Sequence, residues 1–270
     1  MFVLTPVFCA QANAPYKILI VPGHDDESYG AIFNGVKEAD MNVKLGLYLY
    51  NLLKKDKKFK VFITRDWQGY TKEFSDYFAN NGDRINDFIE NSKTSFQNKI
   101  VSGEIKKVDN NVYHNYASNK VAGILYGINL WANENNIDAV IHIHFNDYVR
   151  DKKWEIGDYK GFVIYMPDNQ FKFAKESTDL AAYIFYSLFK YYRPSSYPPE
   201  LLGIVPDQNL ISIGEYDTVN TRRLLIEYGY IYERKFNTFK KRQTEMIRMA
   251  KQTYSGIQKY FEYLSNTKKK

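Results

Sequence analysis

The sequence predicts an α/β fold in which an open, mostly parallel sheet is covered by helices on both faces. Short runs rich in β-branched residues alternate along the chain with longer runs whose apolar residues recur at helical spacing. This alternation is typical of strand–helix units, which build parallel sheets buried on both sides. The chain of 270 residues suits one large domain, which we place at residues 15–270.

In the first half of the chain, the predicted elements are a strand, a helix, a strand and an irregular segment. The first strand covers residues 17–22 and ends at a Pro-Gly turn. A helix over residues 38–53 repeats leucine on one side, and a β-branched run predicts a strand over 59–64. Residues 67–116 are rich in Asn, Asp, Lys and Ser, and we interpret them as an inserted cap or lid that is partly helical.

The second half continues the alternation after this insertion. Apolar spacing predicts helices, and short apolar runs predict strands. The expected strands cover residues 138–144, 161–166, 210–213 and 223–227, and the expected helices cover residues 117–134, 171–191 and 236–264. The three prolines within residues 193–200 indicate a loop.

The amino terminus has features of a secretory signal peptide. An apolar run, Phe2–Ala10, precedes small residues at Ala12 and Ala14, and this A-x-A arrangement predicts cleavage after Ala14. The usual basic start is missing, so a short leader without signal function is the alternative. No later run approaches the roughly 20 apolar residues of a membrane-spanning helix. We therefore predict a secreted or cell-envelope protein with no integral membrane segment after signal cleavage.

The charge of the chain favours polyanionic surroundings but indicates no nucleic-acid partner. The net charge is +6, and the basic residues are spread out rather than gathered on a nucleic-acid motif. The densest basic runs, residues 54–60, 234–242 and 268–270, are explained most simply as solvated surface. The sequence does not determine an oligomeric state.

Three of the four histidines lie at the ends of predicted strands, namely His24, His142 and His144. The carboxyl ends of strands line the ligand crevice of open α/β folds. Glu38 opens a helix after the first strand and Glu227 ends the last strand, so both carboxylates are candidates for the same crevice.

A metal site is the chemistry that these residue types favour. His142 and His144 are two apart on one strand and share a face, so His144 is the better ligand candidate and His142 is a ligand or a supporting group. Two imidazoles and one carboxylate with an open position form a hydrolytic zinc site, and a further carboxylate moves protons. Glu38 and Glu227 can fill these roles, although Glu38 is also an ordinary acid for a first helical turn.

The polar motifs of the chain occur in an order that resembles a known family, the zinc-dependent N-acetylmuramoyl-L-alanine amidases of type 3. The resemblance extends over about residues 17–232. The motifs are Pro22-Gly23-His24, Gly30-Ala31, Glu38 opening a leucine-rich helix, Thr64-Arg65, His142-Ile143-His144-Phe145-Asn146, and Leu225-Ile226-Glu227-Tyr228-Gly229-Tyr230.

This resemblance implies a six-stranded sheet, Zn²⁺ as cofactor, and peptidoglycan or a muropeptide as substrate. The amide cleaved would join N-acetylmuramic acid to L-alanine. The resemblance further implies that His24, Glu38 and His144 bind the zinc, with Glu227 as the catalytic carboxylate.

Four further residues are expected to support the metal ligands or contact substrate. His142 replaces the usual serine of the family, and Asn146 and Arg65 belong to the matching motifs. Asp25 stands where the family has glycine, close enough in sequence to His24 to contact the metal.

Two other functions are alternatives to an active amidase. His24-Asp25-Asp26-Glu27 resembles a motif of zinc sugar N-deacetylases, although the later His-x-x-His motif of that family is absent. A regulatory or wall-binding module with the same fold and no activity is the second alternative. Retention of all four expected polar residues favours the enzyme.

Overall fold

The central sheet of the molecule is six-stranded, open and mostly parallel, as predicted. The computed structural model describes residues 14–108, 112, 114 and 116–267, so the predicted leader at residues 1–14 lies outside the described residues except for Ala14. In chain order the strands are β1 (Tyr16–Pro22), β2 (Ile32–Phe33), β3 (Val36–Lys37), β4 (Phe59–Ile63), β5 (Arg65–Asp66), β6 (Gly69–Tyr70), β7 (Ala139–Asn146), β8 (Val163–Pro167), β9 (Ile204–Asp207) and β10 (Arg222–Tyr230). The sheet order is β4-β1-β7-β10-β8-β9, and only the β10–β8 pair is antiparallel.

Helices cover both faces of this sheet. They are α1 (Glu38–Lys54), α2 (Lys72–Asn80), α3 (Gly82–Val101), α4 (Asn119–Glu134), α5 (Ala174–Phe189) and α6 (Phe239–Thr267). Among the described residues, none of these helices is both long and apolar enough to cross a membrane.

The alternation of side chains along each strand divides the core in two. On one face, Ile20, Ile143 and Ile226 pack with Leu45 of α1 and Ile257 of α6. On the other face, residues one position away in the same strands, such as Leu19 and Val140, pack against Phe74 of α2 and Trp131 of α4. A strand that is buried on both faces has a continuous run of apolar residues. Polar residues at the ends of such strands are therefore easy to identify in the sequence.

Strand register sets which polar residues meet at the carboxyl edge. β1 and β7 are parallel, with Pro22 paired to Ile143, so the turn after β1 lies beside the end of β7. β7 and β10 are also parallel, with His144 paired to Glu227. Residues far apart in the chain are therefore brought to one edge.

One predicted strand was wrong. Residues 211–213, expected within a strand, form a short 3₁₀ helix, and the sixth strand is instead β9. The Asp207 carboxylate accepts hydrogen bonds from the backbone N–H groups of Asn209 and Leu210, which turns the chain after β9. β9 was missed because it contains Pro206, a residue that sheets tolerate mainly at their edges, where β9 lies.

The segment interpreted as an insertion, residues 67–116, contains α2, and most of its other described residues form α3. Phe96 of α3 packs against the rings of Phe171 and Tyr216. Downstream of α3, the backbone N–H of Val108 donates to the Gln208 side chain. The helices of this segment are thus fixed to the body of the domain.

The packing of α5 against α6 depends on Gly256. A Cβ atom at this position would lie 2.5 Å from the backbone Cα of Ile184. We expect Gly256→Ala to lower the free energy of unfolding by about 1–3 kcal/mol, because the two helices must separate. Urea denaturation measures this change. Gly123→Ala on α4 is the matched control, since nothing lies within 4 Å of a Cβ there, and a similar loss in both variants would contradict the packing argument.

Candidate active site

Three of the predicted metal ligands converge at the carboxyl edge of the sheet. His24 lies in the turn after β1, Glu38 is the first residue of α1, and His144 lies near the end of β7. His24 Nε2 is 3.1 Å from Glu38 Oε2, and His144 Nδ1 is 3.1 Å from Glu38 Oε1. One ligand atom from each residue lies within 4.8 Å of the others, so the three form a group that could hold a metal ion. The set of two nitrogens and one oxygen suits zinc.

The Glu38 carboxylate is held in place by donors from three parts of the chain. The backbone N–H groups of Ala31 and Phe145 donate to its two oxygens, at 3.0 Å and 3.1 Å. The Asn42 side chain, one turn along α1, donates to Oε1 at 3.3 Å and to the carbonyl of Gly23 at 3.0 Å. Asn42 therefore ties the helix that carries Glu38 to the turn that carries His24.

Two glycines leave room for this group. A Cβ on Gly23 would lie 2.2 Å from the His144 ring. A Cβ on Gly30 would lie 2.3 Å from Glu38 Oε2, and Gly30 also has a φ of +70°, which glycine adopts at little cost. The Pro-Gly-His and Gly-Ala motifs are thus explained by the space that the three side chains require.

Arg65 and Asp25 stabilise the turn that presents His24. His24 has a left-handed φ of 61°, which is uncommon for a residue with a side chain. The buried Arg65 guanidinium donates a hydrogen bond to the carbonyl oxygen of His24. Asp25 Oδ1 accepts from the backbone N–H groups of Glu27 and Ser28, and its Oδ2 accepts from the Tyr70 hydroxyl at 3.4 Å. Asp25 therefore supports the turn and stands outside the group formed by His24, Glu38 and His144.

The three side chains shift one another's proton affinity. Burial alone would raise the pKa of the Glu38 carboxyl, but the charge of His24 and the hydrogen bond from His144 lower it below its ordinary value. Burial opposes protonation of His24, yet the neighbouring Glu38 carboxylate raises its pKa. For His144, burial prevails and lowers the pKa. An ionised carboxylate beside a neutral imidazole is the state in which both residues bind a metal.

Glu227 lies beside this group without joining it. Its Cα pairs with that of His144 across β10 and β7, and its Oε2 is buried with no hydrogen-bond partner among the described residues. Burial, followed by repulsion from Glu38 and then Glu200, raises the pKa of the Glu227 carboxyl well above its ordinary value. A buried carboxyl with an unsatisfied oxygen and a high proton affinity is suited to exchange protons.

His142 lies on the same face of β7 as His144, but deeper in the sheet. Its side chain is fully buried and therefore does not face solvent. Burial, together with the nearby charges of Arg223 and His144, lowers the pKa of His142 well below its ordinary value, so this imidazole is neutral. The structure places it beneath the group of three, outside the set of candidate ligands.

Glu200 is a residue of this edge that sequence reasoning missed. It is 1% exposed and accepts hydrogen bonds from the hydroxyls of Tyr165 and Tyr230, at 2.6 Å and 3.1 Å. The predicted site residue Asn146 also donates to it, at 3.2 Å. The three prolines near Glu200 predicted only a loop. The one indication in the sequence that Glu200 has partners is that a carboxylate beside apolar residues is costly in free energy without them.

The close packing around Glu38 allows a test of the group formed by His24, Glu38 and His144, which we call the metal group. We expect Gly30→Ala to lower the affinity of the protein for Zn²⁺ at least about tenfold, because the new methyl group displaces Glu38 or His24. Competition with a coloured chelator measures this affinity. Gly35→Ala is the control, since Gly35 has a similar φ of +75° but nothing within 4 Å of its Cβ. Equal Zn²⁺ affinities in the two variants would contradict the argument that Gly30 leaves the space that Glu38 and His24 need.

The chain is similar in sequence and in fold to known N-acetylmuramoyl-L-alanine amidases. A putative N-acetylmuramoyl-L-alanine amidase of Buchnera aphidicola subsp. Schizaphis graminum is 27% identical over 257 residues, which are 90% of this chain and 96% of that protein. The fold is similar to the CwlD amidase of Clostridioides difficile, solved in complex with the GerS lipoprotein, with a TM-score of 0.59, 19% identity, and coverage of 92% of this chain and 99% of that one. Ami1 of Mycobacterium smegmatis gives a TM-score of 0.58 at 13% identity, covering 93% of this chain and 98% of that one. The sequence profile of the N-acetylmuramoyl-L-alanine amidase family matches residues 18–259, and the chain therefore belongs to this family.

Proposed function

We propose that this protein is a zinc-dependent hydrolase that cleaves the amide bond between N-acetylmuramic acid and L-alanine in peptidoglycan. The observation that carries the proposal is the convergence of His24, Glu38 and His144 beside the buried carboxyl of Glu227. Membership of the amidase family supports the same reaction. The substrate is part of the cell wall, so we propose that the protein acts after secretion or at the cell envelope.

Zinc is the cofactor that this donor set fits best. His24, Glu38 and His144 would hold it, and their partial exposure, 28% for the His24 side chain and 17% for that of His144, leaves a side open to substrate. When bound, zinc lowers the pKa of a water molecule towards about 7 and polarises a carbonyl group. Arg65 donates to the carbonyl of His24, and Asn42 donates to the carbonyl of Gly23. These hydrogen bonds hold the turn after β1 and the start of α1 in place.

Glu227 is the residue that we assign to proton transfer. As a carboxylate it accepts a proton from the water that attacks the lactyl carbonyl of the muramoyl amide. The amine of L-alanine is a poor leaving group unless its nitrogen is protonated, so Glu227 then delivers the same proton to that nitrogen. The shielded position of Glu227 favours the return of this proton to the substrate rather than to bulk water.

The deacetylase alternative finds little support in the arrangement of the acids. That reading needs Asp25 or Asp26 at the metal, whereas Asp25 is engaged by its own turn and the Asp26 side chain is 75% exposed. Glu38 would also be left without a role. The amidase proposal gives a role to Glu38 and Glu227 as well as to the two histidines, His24 and His144.

Digestion of purified peptidoglycan by the protein tests the reaction and its cofactor together. We expect release of intact stem peptides that carry a free L-alanine amine, identified by mass spectrometry. A chelator stops the release and added Zn²⁺ restores it, because the ligands lose their metal. One equivalent of bound zinc with no release of peptide would contradict the proposed reaction and favour the inactive wall-binding module.

Substitution of Glu227 separates proton transfer from metal binding. We expect Glu227→Gln to bind zinc with unchanged stoichiometry and to lose about 10²- to 10⁴-fold in kcat, because the amide cannot accept a proton. His144→Ala should lose both zinc and activity. Glu262→Gln, on α6 with a 44% exposed side chain that pairs with Lys58, is the control for loss of a carboxylate away from the site. A near-normal kcat in Glu227→Gln would remove Glu227 from the mechanism.

A further inference from the structure

Three tyrosines form an aromatic surface next to the candidate active site. Tyr148 and Tyr159 lie in the loop between β7 and β8, and Tyr197 lies in the proline-rich loop before β9. Their ring centroids are 4.6 Å apart for Tyr148 and Tyr159, 5.2 Å for Tyr148 and Tyr197, and 4.9 Å for Tyr159 and Tyr197. We call this group the tyrosine surface.

The tyrosine surface is continuous with the catalytic edge of the sheet. Tyr148 follows Asn146, the last residue of β7, by two positions. The ring of Tyr159 is 6.2 Å from that of Tyr230, which follows Glu227 on β10 and donates to Glu200. A molecule bound on the tyrosine surface would therefore extend from the edge where Glu227 and the three candidate metal ligands lie.

Backbone hydrogen bonds join the two loops that carry these tyrosines. The N–H of Phe162 donates to the carbonyl of Arg193 at 3.1 Å, and the N–H of Ser195 donates back to the carbonyl of Phe162 at 2.7 Å. Close approach at this point requires Gly161, because a Cβ there would lie 2.3 Å from the carbonyl oxygen of Pro194. The surface is thus built in advance, and a ligand need not order it on binding.

A second set of contacts fixes the tyrosine surface to β10. Ser195 Oγ accepts from the backbone N–H of Tyr197 at 3.2 Å and lies 3.2 Å from the Tyr230 hydroxyl. The position of Tyr197 is therefore set by the same strand that carries Glu227. The tyrosine surface and Glu227 are therefore held by one strand, β10.

The exposure and chemistry of the tyrosine surface indicate the class of ligand. Tyr148 is 40% exposed, and Tyr159 and Tyr197 are half-buried, so part of the tyrosine surface is accessible to solvent. A pyranose ring presents C–H groups on its faces and hydroxyls around its rim, and tyrosine offers an apolar body with a polar end. Between Tyr148 and Tyr159 the loop has three basic and three acidic residues, so it carries no excess charge that would select a polyanion; they are Arg150, Lys152, Lys153, Asp151, Glu155 and Asp158.

We propose that the tyrosine surface is a binding site for the glycan strand of peptidoglycan, contacted through its N-acetylated pyranose rings. This inference rests on the proposed function in supposing that a wall polymer reaches the catalytic edge. The surface holds the sugar part of the substrate while the amide to be cleaved lies at the metal group. Its contribution is to affinity for polymer rather than to the chemical step.

Binding to glycan strands stripped of stem peptides tests this site apart from catalysis, because such strands contain no amide of the cleavable kind. We expect Tyr148→Ala to weaken binding about tenfold in titration calorimetry, whereas Tyr148→Phe, which keeps the ring, remains within about twofold. Tyr186→Ala on α5 is the matched control, since Tyr186 is a 69% exposed tyrosine whose ring pairs with one other aromatic ring, that of Phe185, among the described residues.

Kinetics on intact peptidoglycan give an independent readout. We expect Tyr148→Ala to raise KM about as much as it weakens glycan binding, with kcat within about twofold of wild type. Tight binding of glycan strands by Tyr148→Ala, equal losses in Tyr186→Ala, or no binding by wild type would each overturn the proposal. An unchanged KM on intact peptidoglycan in Tyr148→Ala would overturn it while leaving the amidase function intact. Glycan binding that depends on Tyr148, in a protein that releases no peptide, would support this site and contradict the proposed reaction.

Discussion

The buried carboxylate of Glu38 is the group around which this edge of the protein is organised. A carboxylate removed from water is costly unless donors surround it, and Glu38 has donors from the turn after β1, from β7 and from its own helix. Each donor fixes one element relative to the others. The glycines of the two motifs near His24 follow from the same constraint, because any side chain there would occupy the space of Glu38 or of an imidazole. The geometry of the three candidate ligands is thus maintained by the cost of leaving Glu38 unpaired.

Parallel strand order converts this local arrangement into a catalytic edge. β1, β7 and β10 are neighbours in the sheet, and their carboxyl ends deliver His24, His144 and Glu227 to one side. Antiparallel β8 and its parallel neighbour β9 both begin at this same edge, and the loops that precede these two strands carry the tyrosine surface. The connection from β7 to β8 and the connection from α5 to β9 meet there through hydrogen bonds between residues 160–162 and 193–196. The metal group and the proposed glycan site are therefore two consequences of one sheet order.

The sequence predicted those parts of the structure whose signals are local. Apolar runs ending in a polar residue identified the strands that carry His144 and Glu227, and the helix start identified Glu38. Glu200 could not be identified in this way, because its partners Tyr165 and Tyr230 are 35 and 30 residues away and only folding brings them together. For a related reason, the sequence predicted the sixth strand at residues 210–213 and not at β9. β9 contains a proline, which is typical of a turn, but its pairing with β8 makes it a strand. Composition indicated that tyrosine is abundant, but not that three tyrosines from two loops would meet.

Besides Glu38, this edge holds the buried Glu200 and the partly buried Glu227, and the contrast between their hydrogen bonds explains how the two carboxyl groups differ. Glu200 has three donors, two tyrosine hydroxyls and the Asn146 amide, so its charge is satisfied within the fold. Glu227 has an oxygen with no such partner among the described residues, and its neighbours Glu38 and Glu200 are both acidic. A protein rarely leaves a buried oxygen unsatisfied unless a ligand completes it. The fully bonded Glu200 therefore fixes the loop and the tyrosines, and the incompletely bonded Glu227 is the carboxyl group that we propose for proton transfer.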